Sequence, residues 1–529
     1  MFLSNRIRNE RDLATAALAL ADGSYPTAAE QALGRGGQGF FDDIWLRDIR
    51  QAIRAGQDPL GEIFLALRPV TERRQRGAIY TPALIADAMI GWARVAGEFD
   101  RVLDPGAGSG RFLIAAAQKF PAAELIAVES DPLAALILRA NITQLGLTHR
   151  TRIHIQDFLL GDVQPTRGRT LFIGNPPYVR HHDISQTAKL WFGKAATRLG
   201  IKASKLAGLH VHFFLRTMEL ARTGDYGCFI TAAEWLDVNY GSAIRKALLD
   251  GLGGQALYVL SPEIAAFPEA MTTAAIVCFK PREWPTAIQV NAIGSLSELA
   301  NVQGGRKVSR GELVRTSRWS LLTRPGPKPP RDYVELGELF RVHRGQVTGA
   351  NNVWIASART PNLPDTVLFP AVTRAAEIIY SAGELTDSSQ LRKVIDLPVD
   401  LSEIDAEWIP AVKRFLTWAR TEGADQSYIA RHRPAWHSVG LYEPAPVLAT
   451  YMGRRPPAFA LNRCCARHLN ISHGLYPRER IASNTVRALV TWLNSNVGLD
   501  QGRTYAGGLV KFEPGELERV LIPPLTMLH

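Results

Sequence analysis

Short apolar runs separated by stretches of helical periodicity dominate the chain up to about residue 280. RVLD (101–104), ELIAVE (124–129), RIHIQ (152–156) and TLFIG (170–174) are strand-length and rich in Val, Ile, Leu or Phe, and YGCFIT (226–231), QALYVL (255–260) and AAIVCF (274–279) follow. Segments such as Leu133–Asn141 and His212–Ala221 place apolar residues at helical spacing between them. This alternation predicts an α/β fold whose mostly parallel, seven-stranded sheet is covered by helices on both faces. In such sheets ligands bind beyond the carboxyl ends of the strands. Residues 1–65 read as a helical, moderately charged arm with no assignable chemistry. TRPGPKPPR, Thr323 to Arg331, holds four prolines and a glycine, which cannot continue a helix or a central strand. A stiff linker is therefore expected at 323–332, between a larger part (66–322) and a C-terminal domain (333–529).

Composition narrows the class. The chain has 529 residues, 46% of them hydrophobic, which excludes wholesale disorder and collagen-like repeats. Cys228, Cys278, Cys464 and Cys465 are too few and too clustered for a secreted disulfide framework. No apolar run reaches the roughly 18 residues needed to span a bilayer, and MFLSNRIRNERD lacks the apolar core of a signal peptide. A cytoplasmic protein with no membrane partner is expected. Lys plus Arg is 61 against 50 Asp plus Glu, a net charge of +11, a mild pointer to a polyanionic partner.

Candidate chemistry gathers at the strand ends. RVLD runs into PGAGSGRFLIAAA, where Gly106, Gly108 and Gly110 allow a tight turn and close approach by a ligand before a helix starting near Arg111. The next strand ends at Glu129, about 20 residues on, where a carboxylate can accept from both hydroxyls of a ribose. A third ends at Asp157-Phe158, a carboxylate and a ring suited to an adenine amine and its face. Asp131, before Pro132, serves equally well as a helix cap. Asp104 would repel a pyrophosphate but suits a cation, which favours S-adenosylmethionine, with its sulfonium and ammonium, over a dinucleotide. Upstream, Thr81 is a good N-cap and Pro82 a good first helical residue. Leu84, Ile85, Ala88, Met89 and Trp92 then form one apolar face, and the helix N-terminus favours a carboxylate such as that of methionine.

The fourth strand ends in Asn175-Pro176-Pro177-Tyr178, the most specific feature of the sequence. Two prolines fix the backbone, so neighbouring carbonyls point in set directions. The Asn175 side-chain oxygen and the Pro176 carbonyl can both accept from one exocyclic amine. That draws the planar nitrogen towards a tetrahedral shape and frees its lone pair. Tyr178 offers a face to a planar base, worth about 1–3 kcal/mol.

These segments resemble the amino-group DNA methyltransferases, in particular the gamma-class (TaqI-like) N6-adenine enzymes, strongly over about 75–240 and more loosely over 335–525. The resemblance implies a class I S-adenosylmethionine-dependent methyltransferase sheet followed by a C-terminal α+β target-recognition domain. It implies that Tyr80, Thr81 and Pro82 flank the methionine end of the cofactor. Asp104, Gly106 and Gly108 would form its Gly-rich loop, Glu129 would hold the ribose, and Asp157 and Phe158 the adenine. Asn175, Pro176 and Pro177 would bind the target amine, with Tyr178 stacking on the base. Phe229 would be the second stacking ring, although the family often has Val-Val-Pro next and this chain has Ile230-Thr231-Ala232. The implied activity is modification of adenine in double-stranded DNA by base flipping, within a restriction-modification system. A cognate endonuclease would act separately on the same sites, and the enzyme would work as a monomer. Arg180, His181 and His182, after the tetrapeptide, are placed to touch DNA.

RGQVTGANNVWI (344–355) and residues 493–524 resemble the ends of the family's recognition domain. Residues 411–510 carry 13 Lys/Arg against 5 Asp/Glu. Arg344, Arg454 and Arg455 are candidate DNA contacts here, alongside Arg431, Arg433, Arg463 and Arg467, since Arg binds guanine edges or phosphates. Cys464-Cys465 and His468 lack a second ligand cluster, so no metal is expected. Rival readings are protein glutamine, RNA adenine and cytosine N4 methylation. The first usually has a shorter chain, and the last more often has Ser or Asp before the prolines. A catalytically idle DNA-binding subunit is a further rival, against which the intact Asn175, Tyr178, Glu129 and Asp157 speak.

Overall fold

The computed structural model describes residues 6–39, 41–69, 72–73, 77, 81–163, 167–261, 264, 273–301, 305–323, 330, 332–505 and 509–528. The chain forms two compact units, Met1–Gly326 and Pro327–His529. Most of the Pro-rich linker lies outside the described residues.

The first unit is built on β1 (Arg101–Pro105), β2 (Glu124–Glu129), β3 (Thr151–Ile155), β4 (Thr170–Gly174), β5 (Tyr226–Ala232), β6 (Gly254–Leu260) and β7 (Ala274–Phe279). Two further strands, β8 (Ala287–Ile293) and β9 (Arg306–Ser309), extend the sheet to nine, in the order β3-β2-β1-β4-β5-β7-β6-β8-β9. The expected count of seven therefore falls short. In β8 buried Ile288, Val290 and Ile293 are interspersed with more exposed residues, the pattern of a half-covered strand near a sheet edge. The strands from β3 to β5 run parallel, and β7 is antiparallel to both neighbours. The chain leaves β1 towards β2 and β3 on one side and returns through β4 and β5 on the other. The β1/β4 boundary is thus the switch point at which such sheets bind ligands.

Successive residues of each strand feed opposite cores. Leu103, Val128, Phe172 and Phe229 enter one, and Val102, Ala127, Ile173 and Cys228 the other. Helices α1 (Glu10–Leu20), α2 (Ala28–Leu33), α3 (Asp43–Arg54) and α4 (Pro59–Leu67) precede the sheet. They are followed by α5 (Ala83–Val95), α6 (Arg111–Lys119), α7 (Pro132–Gln144), α8 (Gln186–Arg198) and α9 (Leu209–Leu220). Helix α7 starts where Asp131 accepts from the Leu133 and Ala134 N–H groups, with Pro132 at its first position. Its sequence, PLAALILRANITQ, is apolar nearly all round because it is covered twice. Leu138 and Ile142 face the sheet, whereas Leu133, Leu136, Ile137 and Ala140 pack with Leu13, Trp45, Ile49 and Leu60 of the arm. The arm thus shares a hydrophobic core with the sheet domain.

The second unit is α+β. Its five-stranded sheet uses Phe340–Arg344, Ser472–Pro477, Val447–Thr450, Phe459–Asn462 and Glu384–Leu385 in that spatial order. Helix Ser483–Asn496 packs Leu489, Val490 and Leu493 into the same core as Phe340, Val447 and Leu475. Helix Ile409–Thr421 turns Val412, Phe415 and Ala419 towards Trp354 and Ile395.

Candidate active site

Beyond β1 the chain turns through Gly106, Gly108 and Gly110 at φ +121°, +54° and +95°, a left-handed path that a side chain would strain. The Gly106 and Ala107 N–H groups donate to the Val128 carbonyl at 2.8 and 3.1 Å, which binds the turn to the end of β2. The Gly108 and Asp131 N–H groups each donate to one oxygen of Glu129 at 2.8 Å. Burial raises the Glu129 pKa, and these backbone donors work against that rise. After β3, Asp157 accepts from the Leu159 N–H at 2.7 Å and Phe158 packs on Phe213 with centroids 5.1 Å apart. Gly106, Gly108, Glu129, Asp157, Phe158 and Phe213 line one cavity of about 420 Å³.

Asn175 and Pro177 of the tetrapeptide line the same cavity. A Cβ on Gly106 would stand 3.9 Å from Pro177 Cδ, so the Gly-rich turn and the proline corner touch. The Asn175 Nδ2 donates to Thr81 Oγ1 at 3.0 Å. The Tyr178 N–H donates to the Gly77 carbonyl at 3.3 Å, and the Leu209 N–H to the Val179 carbonyl at 3.0 Å. Gly77 has φ +64°, and a Cβ there would lie 2.5 Å from Tyr178 N. Pro176 is buried and Tyr178 half-buried. The Tyr178 ring meets His210 edge-on with centroids 6.5 Å apart. Desolvation lifts the Tyr178 hydroxyl pKa well above its ordinary value and pulls His210 down to about 4.

Several expected placements change. Thr81 does not cap α5. Pro82 holds the cap position without a side-chain bond, and the Thr81 hydroxyl is engaged by Asn175 instead. Tyr80 lies outside the described residues. In α5, Leu84 is 61% exposed and leaves the apolar face to Ile85, Ala88, Met89 and the half-buried Trp92, joined by Ala86, Ile90 and Ala93. Asp104 does not line the cavity. It lies beneath Gly174, 1% exposed, and neither carboxylate oxygen has a hydrogen-bond partner among the described residues. Burial, then the charge of Glu129, raises its pKa well above the carboxylate range. Phe229 is fully buried, with Phe214 and Phe279 edge-on at 5.5 Å. It alternates into the core from β5, so its ring has no open face for a base. Arg180 and His182 are exposed, and His182 approaches Asp183 at 3.2 Å.

In the second unit the Arg344 guanidinium and Lys511 ammonium sit 5.2 and 5.6 Å from the Tyr451 ring centroid. Arg454 and Arg455 are exposed and border a small hollow with Met452 and Phe512. Other arginines of this region serve the fold: Arg433 donates to the Val347 carbonyl, and Arg467 bridges the Tyr442 carbonyl and Glu443.

Sequence reasoning missed Gly61, Phe64 and Leu65 of the arm and Arg68 just after it, at the end of α4, which line the cavity, as well as Leu209 and Phe213 of α9. For the arm, the available signal was the all-round apolar character of α7, which requires a second covering layer.

Comparison with known proteins places the chain. It is 53% identical over 482 residues to the type II methyltransferase M.XamI of Xanthomonas campestris pv. amaranthicola, covering 91% of each chain. It belongs to the type II restriction-modification methyltransferase family. M.AccI of Acinetobacter calcoaceticus is 22% identical, over 86% of this chain and 87% of that one. The family model of the M.Eco57I C-terminal domain matches residues 328–529 of this type II methyltransferase, which is the second unit to within one residue. The Eco57I restriction-modification methylase model matches 161–253 and that of conserved hypothetical protein 95 matches 70–195. Two solved structures share the fold at low identity. The type IIL restriction-modification enzyme MmeI has a TM-score of 0.57 and 12% identity, over 91% of this chain and 75% of that one. The type IIG restriction endonuclease BpuSI has a TM-score of 0.50 and 16% identity, over 98% and 68%. The fold is that of a class I methyltransferase with a C-terminal α+β domain, and no helix among the described residues is long and apolar enough to cross a membrane.

Proposed function

We propose that this methyltransferase carries a methyl group from S-adenosylmethionine to N6 of an adenine flipped out of double-stranded DNA. It would act as a monomer and as the modification partner of a cognate restriction endonuclease. The observation that carries the reading is the shared cavity: Asn175 and Pro177 line the same space as the Gly-rich turn, Glu129 and Asp157. About 420 Å³ falls in the range of small-molecule sites. Its lining suits a nucleoside: Glu129 for the ribose hydroxyls, Asp157 for the adenine amine and Phe158 for the ring face.

S-adenosylmethionine bound there supplies an electrophilic methyl on a sulfonium. The protein's part is to position the nucleophile. Asn175 Oδ1 and the Pro176 carbonyl accept hydrogen bonds from the two N–H groups of the target amine, weaken its conjugation with the ring and aim its lone pair at the cavity, and one of those protons passes to water once the nitrogen has gained the methyl. Tyr178 replaces part of the stacking that the base loses on leaving the duplex. The Asn before the two prolines favours adenine over cytosine. The C-terminal domain, with Arg344, Arg454 and Arg455 exposed, favours DNA over a peptide glutamine. Arg180, His181 and His182 follow the base-binding corner and are candidate contacts to the strand beside it.

The test is transfer of a labelled methyl group to duplex DNA, RNA and protein offered separately. Label in duplex DNA alone, lost in Asn175→Ala, is expected. Label in RNA or protein instead would overturn the reading.

A further inference from the structure

Helix α4 of the arm lines the cavity, and each of its ends is pinned to a different part of the cofactor machinery. At its start, Asp58 caps the helix by accepting from the Gly61 N–H at 3.1 Å. The same carboxylate accepts from the Ser109 hydroxyl, within the Gly-rich turn, and from Asn141 Nδ2 of α7 at 3.1 Å. At its other end, Arg68 is 5% exposed and bridges Glu10 of α1, at 2.5 Å, to Asp131. Its guanidinium lies 4.2 Å above the Phe64 ring. Between the pins, Gly61, Phe64 and Leu65 face the cavity.

The Arg68 contact reaches Glu129 in one step. Asp131 has its carboxylate held by Arg68 and by the α7 N-terminus, and its own N–H donates to Glu129 Oε1. The Gly108 N–H holds the other oxygen. The orientation of Glu129 is therefore set from both sides, once by the Gly-rich turn and once by a residue that Arg68 fixes.

We propose that the N-terminal arm is a structural part of the cofactor site, with Phe64 as an apolar wall of the nucleoside pocket and Arg68 as a positioning residue that sets Glu129 through Asp131. Cofactor binding and docking of α4 are then thermodynamically linked, because a ligand that touches only the docked arm stabilises the docked state. The proposal rests on the reading of the cavity as an S-adenosylmethionine site.

The experiment is calorimetric titration of the full chain with S-adenosylhomocysteine, together with backbone hydrogen exchange. Arg68→Ala and Phe64→Ala are each expected to weaken binding about tenfold, and Arg68→Lys less. Exchange over 59–68 is expected to slow when the ligand is added, which a purely packing role for the arm would not produce. If the unaltered chain binds no S-adenosylhomocysteine, the cofactor reading itself fails. If it binds, and a folded Phe64→Ala or Arg68→Ala variant binds equally well or exchange over 59–68 is unchanged, the arm proposal is overturned while the cofactor reading stands.

Discussion

Asn175 donates from Nδ2 to the Thr81 hydroxyl across 3.0 Å, which ties the corner after β4 to the residue before α5. Because the amide nitrogen is committed to Thr81, the carboxamide is held with Oδ1 on the opposite side, where the proposed amine acceptor is needed. Thr81→Val should remove that bond and cost about 1 kcal/mol of positioning, a severalfold loss of single-turnover methyl transfer. Thr81→Ser should restore the rate. A Thr81→Val enzyme of full activity would contradict the orienting role.

Gly77 supports the same corner from its other side. With φ +64° and no room for a Cβ beside Tyr178 N, Gly77→Ala should strain the backbone by about 1–3 kcal/mol. Thermal melting should reveal the loss, and turnover should fall with it. An alanine variant that melts and turns over normally would show that the close approach is not required.

Asp104 predicts a pH effect. Its folded-state pKa is raised, so the stability it contributes is complete below the unfolded value of about 3.9 and is lost as pH rises through the folded value. Asp104→Asn, which stays neutral, should raise the melting temperature of the ligand-free protein at pH 7, and the gain should vanish near pH 4. A lower melting temperature at pH 7 would mean that the ionised carboxylate is stabilised by a partner.

Duplex affinity should fall steeply with salt, as phosphate neutralisation releases counterions. Arg455→Ala or Arg344→Ala should shallow the log–log slope by about one if the residue contacts a phosphate. An unchanged slope with altered site preference would assign it to a base edge. A flat response in the unaltered protein would exclude a phosphate-tracking surface.

Runs such as those of β1, β4, β5 and β7 were legible because strands buried on both faces leave continuous apolar stretches. Strands β8 and β9 were not, since a half-covered strand next to the sheet edge and a short edge strand both mix polar residues into the pattern. At the site, Glu129, Asp157 and Asn175 could be placed because each lies at or just beyond the end of a strand, and strand ends at a switch point converge. Phe229 could not be sorted from a stacking ring by sequence, because β5 is buried on both faces and its continuous apolar run does not separate a core ring from a site ring. Thr81 looked like a cap because its residue type suits one. Its engagement by Asn175 depends on a segment 94 residues away. The arm's share of the cavity was hidden for the same reason: Arg68 and Asp131 meet only in three dimensions.

The central claim, that the Asn175 corner activates the amine of adenine, is tested most directly by nucleoside mass spectrometry of duplex DNA incubated with the purified protein and S-adenosylmethionine. N6-methyladenine as the methylated nucleoside, absent with Asn175→Ala, is the result expected. N4-methylcytosine as the product, or no methylated nucleoside from a folded protein that binds S-adenosylhomocysteine, would contradict it.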